Sequence, residues 1–198
     1  DRVFLCLPDS NASRSVLGEA VLRAGQIVID TSTGDPEETA ALGAELATCG
    51  VHYLDATISG SSAQVLRREV LVMAGGDAKV FEQCRDLFAI FARDVAHVGP
   101  SGCGAKMKLV TNLVLGLNRA ALAEGLAFAG QLGLDAAQTL NIMRRSMAGS
   151  RIMDSKGDKM VARDFTPHAK LAQHLKDVRL MLAATPLHLP LSEAHRRL

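Results

Sequence analysis

The segment with the clearest chemical potential runs from Gly102 to Asn112 and opens a long helical pattern. Lys108 and Asn112 are four residues apart, so their side chains project from one face of a helix. Such a lysine and carboxamide can hold a hydroxyl or a carboxylate. A lysine desolvated at the mouth of a cleft can also exchange protons near neutral pH, because its pKa is lowered. The alternative is a solvated lysine near a helix start, which we expect of Lys106.

Small polar residues follow two predicted strands, in Asp30-Thr-Ser-Thr33 and in Asp55-Ala-Thr-Ile-Ser59-Gly60-Ser61-Ser62. Open parallel sheets bind their ligands at the carboxyl ends of strands. The hydroxyls and backbone N–H groups could hold a cofactor or a carboxylate, and Gly60 would let the backbone approach a ligand. The alternative for each segment is an ordinary turn. No His–Asp set is spaced to activate a serine as a nucleophile.

The cysteines and histidines show no metal-ligand spacing. The thiols of Cys6, Cys49, Cys84 and Cys103 are far apart in the sequence, and we expect Cys6 and Cys84 to be buried and free. Free thiols favour a reducing compartment, so the cytoplasm is the expected location, with a mitochondrial parent as the alternative. The pair Lys176–Asp177, taken alone, is expected to be an exposed charge pair.

Charge and composition argue against a nucleic-acid or membrane partner. The 22 basic and 21 acidic residues are spread along the chain, which disfavours a nucleic-acid partner. The long apolar stretch 109–129 contains Asn112, Asn118, Arg119 and Glu124, so we expect no membrane partner.

The first half alternates predicted strands and helices, which indicates a mostly parallel, doubly wound sheet of the Rossmann type. The predicted strands are Arg2–Leu7, Gln26–Asp30, His52–Ile58, Val70–Ala74 and Val95–Val98, and the helices run from Ser10 to about Leu22, over Glu37–Thr48 and over Ala78–Phe91. The first strand is apolar enough to need a neighbour on each side. We therefore expect that an N-terminal portion of the parent protein is absent from this sequence.

The second half predicts helices alone, after a domain boundary near Gly99. We expect a partial dinucleotide-binding domain over 1–99 and an all-α domain over 100–198, with a long interdomain helix. The predicted helices are about Ala105–Leu132, a helix from an Asp135 cap to about Met147, Met153–Ala162, Pro167–Ala184 and Leu191–Leu198.

Taken in order, these segments resemble the β-hydroxyacid dehydrogenases, the 3-hydroxyisobutyrate dehydrogenase family related to 6-phosphogluconate dehydrogenase. The matching motifs cover nearly all of the chain: Phe4-Leu-Cys-Leu-Pro-Asp9, Asp30-x-Ser-Thr-x-x-Pro36, Asp55-Ala-x-Ile-Ser-Gly60, Met73-x-Gly-Gly76, Gly102-x-Gly-x-x-x-Lys108-x-x-x-Asn112, Ala123-Glu124 through Gly133-Leu-Asp135, and Lys176-Asp177.

The resemblance implies a hydride transfer between NAD or NADP and a small 3-hydroxy acid, or its semialdehyde. It implies that Lys108 transfers the proton and that Ser59, Gly60, Ser61 and Asn112 bind the substrate. The cofactor contacts fall on Leu7, Pro8, Asn11, Thr33 and Lys176. It further implies a homodimer or homotetramer formed through the helical domain. The alternative function is a non-catalytic, dehydrogenase-like assembly module.

The sequence departs from the family pattern at several positions near the expected site. Ser61 replaces the second glycine of Ser-Gly-Gly, Thr57 a proline, and Thr111 the first asparagine of a pair, while Gln64 and Arg68 stand for glycines. These departures bear on the identity of the substrate more than on the reaction.

Overall fold

The structure is a computed structural model that describes residues 1–167 and 170–198. It divides into two compact units, Asp1–Thr111 and Asn112–Leu198. Part of the predicted helix Pro167–Ala184 falls on His168 and Ala169, which lie outside the described residues. The predicted domain boundary near Gly99 stays a prediction.

The first unit is built on a five-stranded sheet with the strands in chain order. The strands are β1 (Arg2–Leu5), β2 (Ile27–Asp30), β3 (His52–Ser59), β4 (Val70–Gly75) and β5 (Ala92–Gly99). Only β3 and β4 pair antiparallel, and the other three pairs are parallel. This confirms the predicted mostly parallel sheet. Within the described residues β1 pairs with β2 alone, so its second neighbour stays a prediction.

Helices connect these strands, and three of the five begin at aspartate caps, Asp9, Asp35 and Asp77. They are α1 (Ser10–Glu19), α2 (Pro36–Thr48), α3 (Ser62–Leu66), α4 (Ala78–Gln83) and α5 (Arg85–Phe91). The Asp35 carboxylate accepts the N–H groups of Glu37 and Glu38, as the Asp35-Pro36 pair predicts. The short helix α3 was not predicted.

The core of this unit lies on both faces of the sheet. Val28 and Ile29 are adjacent in β2 and fully buried, yet they belong to different hydrophobic clusters. Because side chains alternate along a strand, the two clusters lie on opposite faces. This arrangement explains why the strands are continuously apolar.

Three local predictions were wrong. The predicted helix Ala78–Phe91 is broken at Cys84, which leaves helical geometry and is buried in the core. Cys6 is exposed rather than buried, because β1 ends at Leu5. The predicted helix Met153–Ala162 consists of a π-helical turn, Met153–Gly157, followed by a short α-helix.

The helix α6 (Cys103–Gln131) begins in the first unit and continues in the second. The second unit also contains α7 (Ala136–Arg145), the π-helical turn, α8 (Asp158–Val161), α9 (Leu171–Ala183) and α10 (Pro190–Arg197). Leu122, Leu140, Ile152 and Met153 form its buried cluster. By length and composition α6 could cross a membrane. This is weak evidence for a membrane span, because core helices of other proteins meet the same two criteria.

Candidate functional site

The start of α6 is tied to β3 by a buried carboxylate. Asp55 is 2% exposed; its Oδ1 accepts the Gly102 N–H and its Oδ2 accepts the Ala105 N–H, each at 2.9 Å. The first N–H groups of a helix have no partner within the helix, and an acidic group satisfies them well. Burial raises the pKa of the Asp55 carboxyl, although these N–H bonds oppose the rise. Asp55 therefore fixes where α6 begins.

A second residue of β3 reinforces this junction. The Thr57 hydroxyl, which is fully buried, lies 2.9 Å from the Gly104 carbonyl oxygen and 3.2 Å from that of Met73. Gly104 must lack a side chain, because a Cβ there would collide with Asp55. The family departure at Thr57 thus replaces a proline with a hydroxyl that bonds to α6.

The side chain of Lys108, one turn further along α6, reaches the carboxyl end of β3. Its Nζ donates a hydrogen bond of 2.5 Å to the carbonyl oxygen of Ile58, and the residue is half-buried. Lys106 is exposed. The Lys108 amine therefore lies beside the backbone that leads directly into Ser59.

The segment after β3 makes a sharp turn at Gly60. Gly60 has φ of +147°, and a Cβ there would lie 2.5 Å from Val70 Cγ1, so only glycine fits. Ser59 is partly buried at the strand end, whereas Ser61 is exposed and caps α3. The Ser61 hydroxyl lies 3.0 Å from Gln64 Oε1, which also accepts the Ser61 N–H at 2.9 Å. Two family departures, Ser61 and Gln64, are thus partners in one capping box.

The predicted cofactor residues of the first unit follow β1 and β2. The Leu7 N–H donates to Ser32 Oγ at 2.9 Å, which joins the two loops at the carboxyl ends of these parallel strands. Thr33 is partly buried in the second loop, and Pro8 and Asn11 are exposed in and after the first. The structure therefore brings Leu7, Pro8 and Thr33 to one edge of the sheet.

A buried polar pair lies behind this edge. Asp30, at the end of β2, accepts a hydrogen bond of 3.0 Å from the Tyr53 hydroxyl and one of 2.9 Å from the Ser32 N–H. Burial, followed by the charge of Asp30, raises the pKa of Tyr53 far above its usual value. The pair holds the Ser32 turn, and with it the contact to Leu7.

In the second unit, Asn112 is held by an acidic partner. Its Nδ2 donates to Asp177 Oδ2 at 3.0 Å, and Lys176 Nζ lies 3.7 Å from Asp177 Oδ1. The Asp177 side chain is only 15% exposed, so the pair Lys176–Asp177 is not the exposed charge pair expected from its sequence alone. Asp177 orients the Asn112 carboxamide.

Sequence reasoning missed three residues that support this site. Asp55 and Asp177 each belong to a motif that the sequence displays, but spacing did not reveal what they hold. Tyr53 carried no signal, since its partner Asp30 is 23 residues away. Within 1–167 and 170–198, no group of three or more His, Cys, Asp or Glu side chains could hold a metal ion.

Comparisons with known proteins agree with this architecture. A family model described as the NAD binding domain of 6-phosphogluconate dehydrogenase matches residues 1–99. A second model, described as NAD-binding of NADP-dependent 3-hydroxyisobutyrate dehydrogenase, matches residues 102–194. The 2-hydroxy-3-oxopropionate reductase of Escherichia coli (strain K12) is 33% identical over 96% of this chain and 68% of its own length. The chain belongs to the β-hydroxyacid dehydrogenase family.

Two further relatives indicate the range of this family. The 2-(hydroxymethyl)glutarate dehydrogenase of Eubacterium barkeri is 30% identical over 93% of this chain and 63% of its own. The cytokine-like nuclear factor N-PAC of Drosophila melanogaster is 29% identical over 92% of this chain. The chain spans 31% of that relative's length.

Solved structures confirm the fold. The 3-hydroxyisobutyrate dehydrogenase of Mycobacterium tuberculosis with L-serine superposes with a TM-score of 0.90 at 24% identity, over 99% of this chain and 72% of that one. A structure of Psf3 in complex with NADP+ and 2-OPP gives the same TM-score, identity and coverage. With the two NAD-binding family models, these comparisons support NAD or NADP as the cofactor of this member of the β-hydroxyacid dehydrogenase family.

Proposed function

We propose that this protein oxidises a small 3-hydroxy acid, of the 3-hydroxyisobutyrate type, or reduces the matching semialdehyde, with NAD or NADP. The observation that carries the proposal is the hydrogen bond from Lys108 Nζ to the Ile58 carbonyl oxygen, which holds the amine next to Ser59. An amine held there can accept the proton of a substrate hydroxyl and return it in the reverse direction.

The residues present at the sheet edge fit a dinucleotide. Leu7, Pro8 and Thr33 follow two adjacent parallel strands, and the Leu7–Ser32 hydrogen bond keeps their loops together. Such an edge is where open α/β sheets hold nucleotides. When bound, the nicotinamide supplies the hydride acceptor or donor.

The substrate carboxylate is assigned to the turn after β3. Ser59 offers a hydroxyl, and Gly60 is exposed, so its backbone can be approached by a ligand. The Ser61 hydroxyl is engaged with Gln64 in the cap of α3, so we assign substrate contact at Ser61 to its backbone. These groups would hold the acid while Lys108 meets the hydroxyl.

Three roles rest on the family resemblance. Asn112 is proposed to bind the substrate, with Asp177 as its positioning partner, and Lys176 to bind the cofactor. We expect Asn11 to contribute to the cofactor site as well. The proposed substrate class agrees with the names of the E. coli and E. barkeri relatives, which both describe carboxylic acids.

The proposed assembly is a homodimer or homotetramer. The long helix α6 exposes apolar side chains that a partner would cover, including Val110, Val114 and Phe128, which are 52–63% exposed. The cytoplasm is the proposed location, in keeping with four free cysteines.

Replacement of Lys108 in the full-length protein tests the proposal. We expect Lys108→Ala to lower kcat by roughly 10²–10⁴ and to leave the Kd of the nicotinamide nucleotide little changed, because only the proton transfer is lost. Lys106→Ala is the matched control, since Lys106 is exposed on the same helix. Near-normal turnover by Lys108→Ala on the best substrate would show that another group carries the proton.

The second candidate is a non-catalytic assembly module. One relative, N-PAC, is named as a nuclear factor and not as an enzyme. A nicotinamide-nucleotide titration of the full-length protein distinguishes the two. An enzyme binds NAD or NADP and turns over a hydroxy acid, whereas a scaffold need not bind the nucleotide and turns over no hydroxy acid.

A further inference from the structure

A cavity of about 900 Å³ in the second unit contains residues that the proposed reaction does not use. Arg119 and Glu124 of α6, His174 of α9 and the two residues His195 and Arg196 of α10 line it. The apolar residues of the lining are Ala120, Ala123, Leu171, Leu175, Val178 and Leu198. The cavity thus combines apolar surface with charged and polar side chains that can contact a ligand.

Arg119 is the residue of this cavity that most clearly indicates a ligand site. Its guanidinium is half-buried, and in the described parts of the chain it has no acidic partner and no hydrogen-bond acceptor. Burial lowers the pKa of Arg119, which reflects the cost of removing this charge from water. A partly desolvated charge is costly unless an opposite charge meets it. The planar fork of a guanidinium matches the oxygens of a carboxylate or a phosphate.

Two histidines lie beside this guanidinium and do not compensate its charge. The Nε2 atoms of His174 and His195 are 3.2 Å apart, so one ring donates a hydrogen bond and the other accepts it. Burial, followed by the charge of Arg119, lowers the pKa of His174 to about 4, and both causes lower the pKa of His195. Both imidazoles are therefore neutral at pH 7.

The helix α6 makes room for this pair at Gly116. A Cβ at that position would lie 2.6 Å from Cε1 of His195 and 3.1 Å from Cε1 of His174. Gly116 is buried and lies in the middle of α6. Glycine at such a position is unfavourable by about 1 kcal/mol relative to alanine. The absence of a side chain at Gly116 is what admits the two rings.

The remaining charges around the cavity favour an anion. Lys170, Arg196 and Arg197 are exposed cations on its lining, and Glu124 is its only acidic side chain among the described residues. The excess of positive charge draws an anion towards Arg119.

We propose that this cavity binds a small dianion of the carboxylate or phosphate type, with Arg119 as its principal partner and the His174–His195 pair at its side. The proposal concerns described residues of the second unit alone and does not depend on the dehydrogenase reaction.

The first test follows the two histidines by NMR in the full-length protein. We expect millimolar inorganic phosphate or succinate to raise the pKa of His174 and His195, because a nearby anion favours the imidazolium. Sodium chloride at the same ionic strength is the control. Response to phosphate alone, or to succinate alone, supports the proposal and identifies the type of anion. A pKa that neither anion moves beyond the chloride control overturns it.

The second test removes the guanidinium. Arg119→Met keeps the length and helix propensity of the side chain, and we expect it to weaken binding of the active anion by roughly 10- to 100-fold. Arg179→Met is the matched control, since Arg179 is exposed on α9 and does not line the cavity. Equal affinity in the two variants overturns the assignment to Arg119. The histidine titration of the unmodified protein decides the matter if Arg119→Met does not fold.

Discussion

Asp55 Oδ2 accepts the backbone N–H of Ala105 at 2.9 Å, which ties the middle of β3 to the first turn of α6. Ala105 is three residues before Lys108, and Ile58, the residue that the Lys108 amine contacts, is three residues after Asp55. The carboxylate and the amine thus bracket the same short segment of β3. Asp55 is a positioning residue in this arrangement, since it sets the start of the helix that carries Lys108.

Removing the Asp55 carboxylate should destabilise the first unit strongly. Asp55→Ala leaves the buried N–H groups of Gly102 and Ala105 without acceptors, which costs about 2–5 kcal/mol in the free energy of unfolding. Asp77→Ala is the control, because Asp77 is an N-cap whose loss costs about 1 kcal/mol. Urea unfolding monitored by circular dichroism measures both. Equal costs for the two variants would contradict a special role for Asp55.

Arg68 should be a position where glycine stabilises the protein. Its φ of 56° is left-handed, a conformation that costs a residue with a Cβ about 1–2 kcal/mol. We expect Arg68→Gly to raise the free energy of unfolding by up to about 1 kcal/mol, reduced by the extra freedom of glycine in the unfolded chain. The neighbouring Arg67 has φ of −91°, so Arg67→Gly should destabilise. Thermal unfolding of the pair checks the sign, and two destabilised variants would refute the explanation.

The strand and helix pattern was predictable because it depends on local sequence. Buried strands such as β2 are continuously apolar, and caps such as Asp35 stand beside the helix they start. The break at Cys84 was not predictable, because the periodicity of apolar residues continues across it. The antiparallel pairing of β3 with β4 depends on how the short helix α3 reverses the chain, and α3 is too short to give a periodic signal.

The residues of the candidate site likewise include some that the sequence predicted and some that it did not. Lys108 and Asn112 were found because their spacing and motif lie in one continuous segment. Asp177 was not recognised as the partner of Asn112, because the two are 65 residues apart and only the fold brings them together. Asp55 and Ala105 are 50 residues apart for the same reason.

The stability of the second unit should fall on acidification below pH 6.5. The pKa of His174 is about 4 in the folded protein against a reference value of 6.5, so the unfolded chain binds more protons between these pH values. Stability is therefore lost as pH drops through this range, by at most about 1.4 kcal/mol per pH unit for this histidine. His174→Gln should lessen the dependence, and His52→Gln, at an exposed position of the first unit, should not. Thermal unfolding from pH 7 to pH 4 measures the slopes. An unchanged slope in His174→Gln would show that this imidazole is not the group responsible.

Asp177 should support catalysis only through Asn112. Its carboxylate accepts the Asn112 amide at 3.0 Å, so Asp177→Ala lets that carboxamide turn away from the orientation proposed for substrate binding. We expect a loss in kcat/KM of about 10- to 100-fold in the full-length protein, with Asp154→Ala, at an exposed position, as the control.

A double-mutant cycle separates this positioning role from a general structural one. If Asp177 acts through Asn112, then Asn112→Ala combined with Asp177→Ala loses no more kcat/KM than Asn112→Ala alone, because the second change removes a partner that is already missing. Lys176 lies 3.7 Å from Asp177, so the Kd of the nicotinamide nucleotide is measured for each variant to register any effect through that lysine. Losses that simply add in the double variant would mean that Asp177 serves the enzyme independently of Asn112.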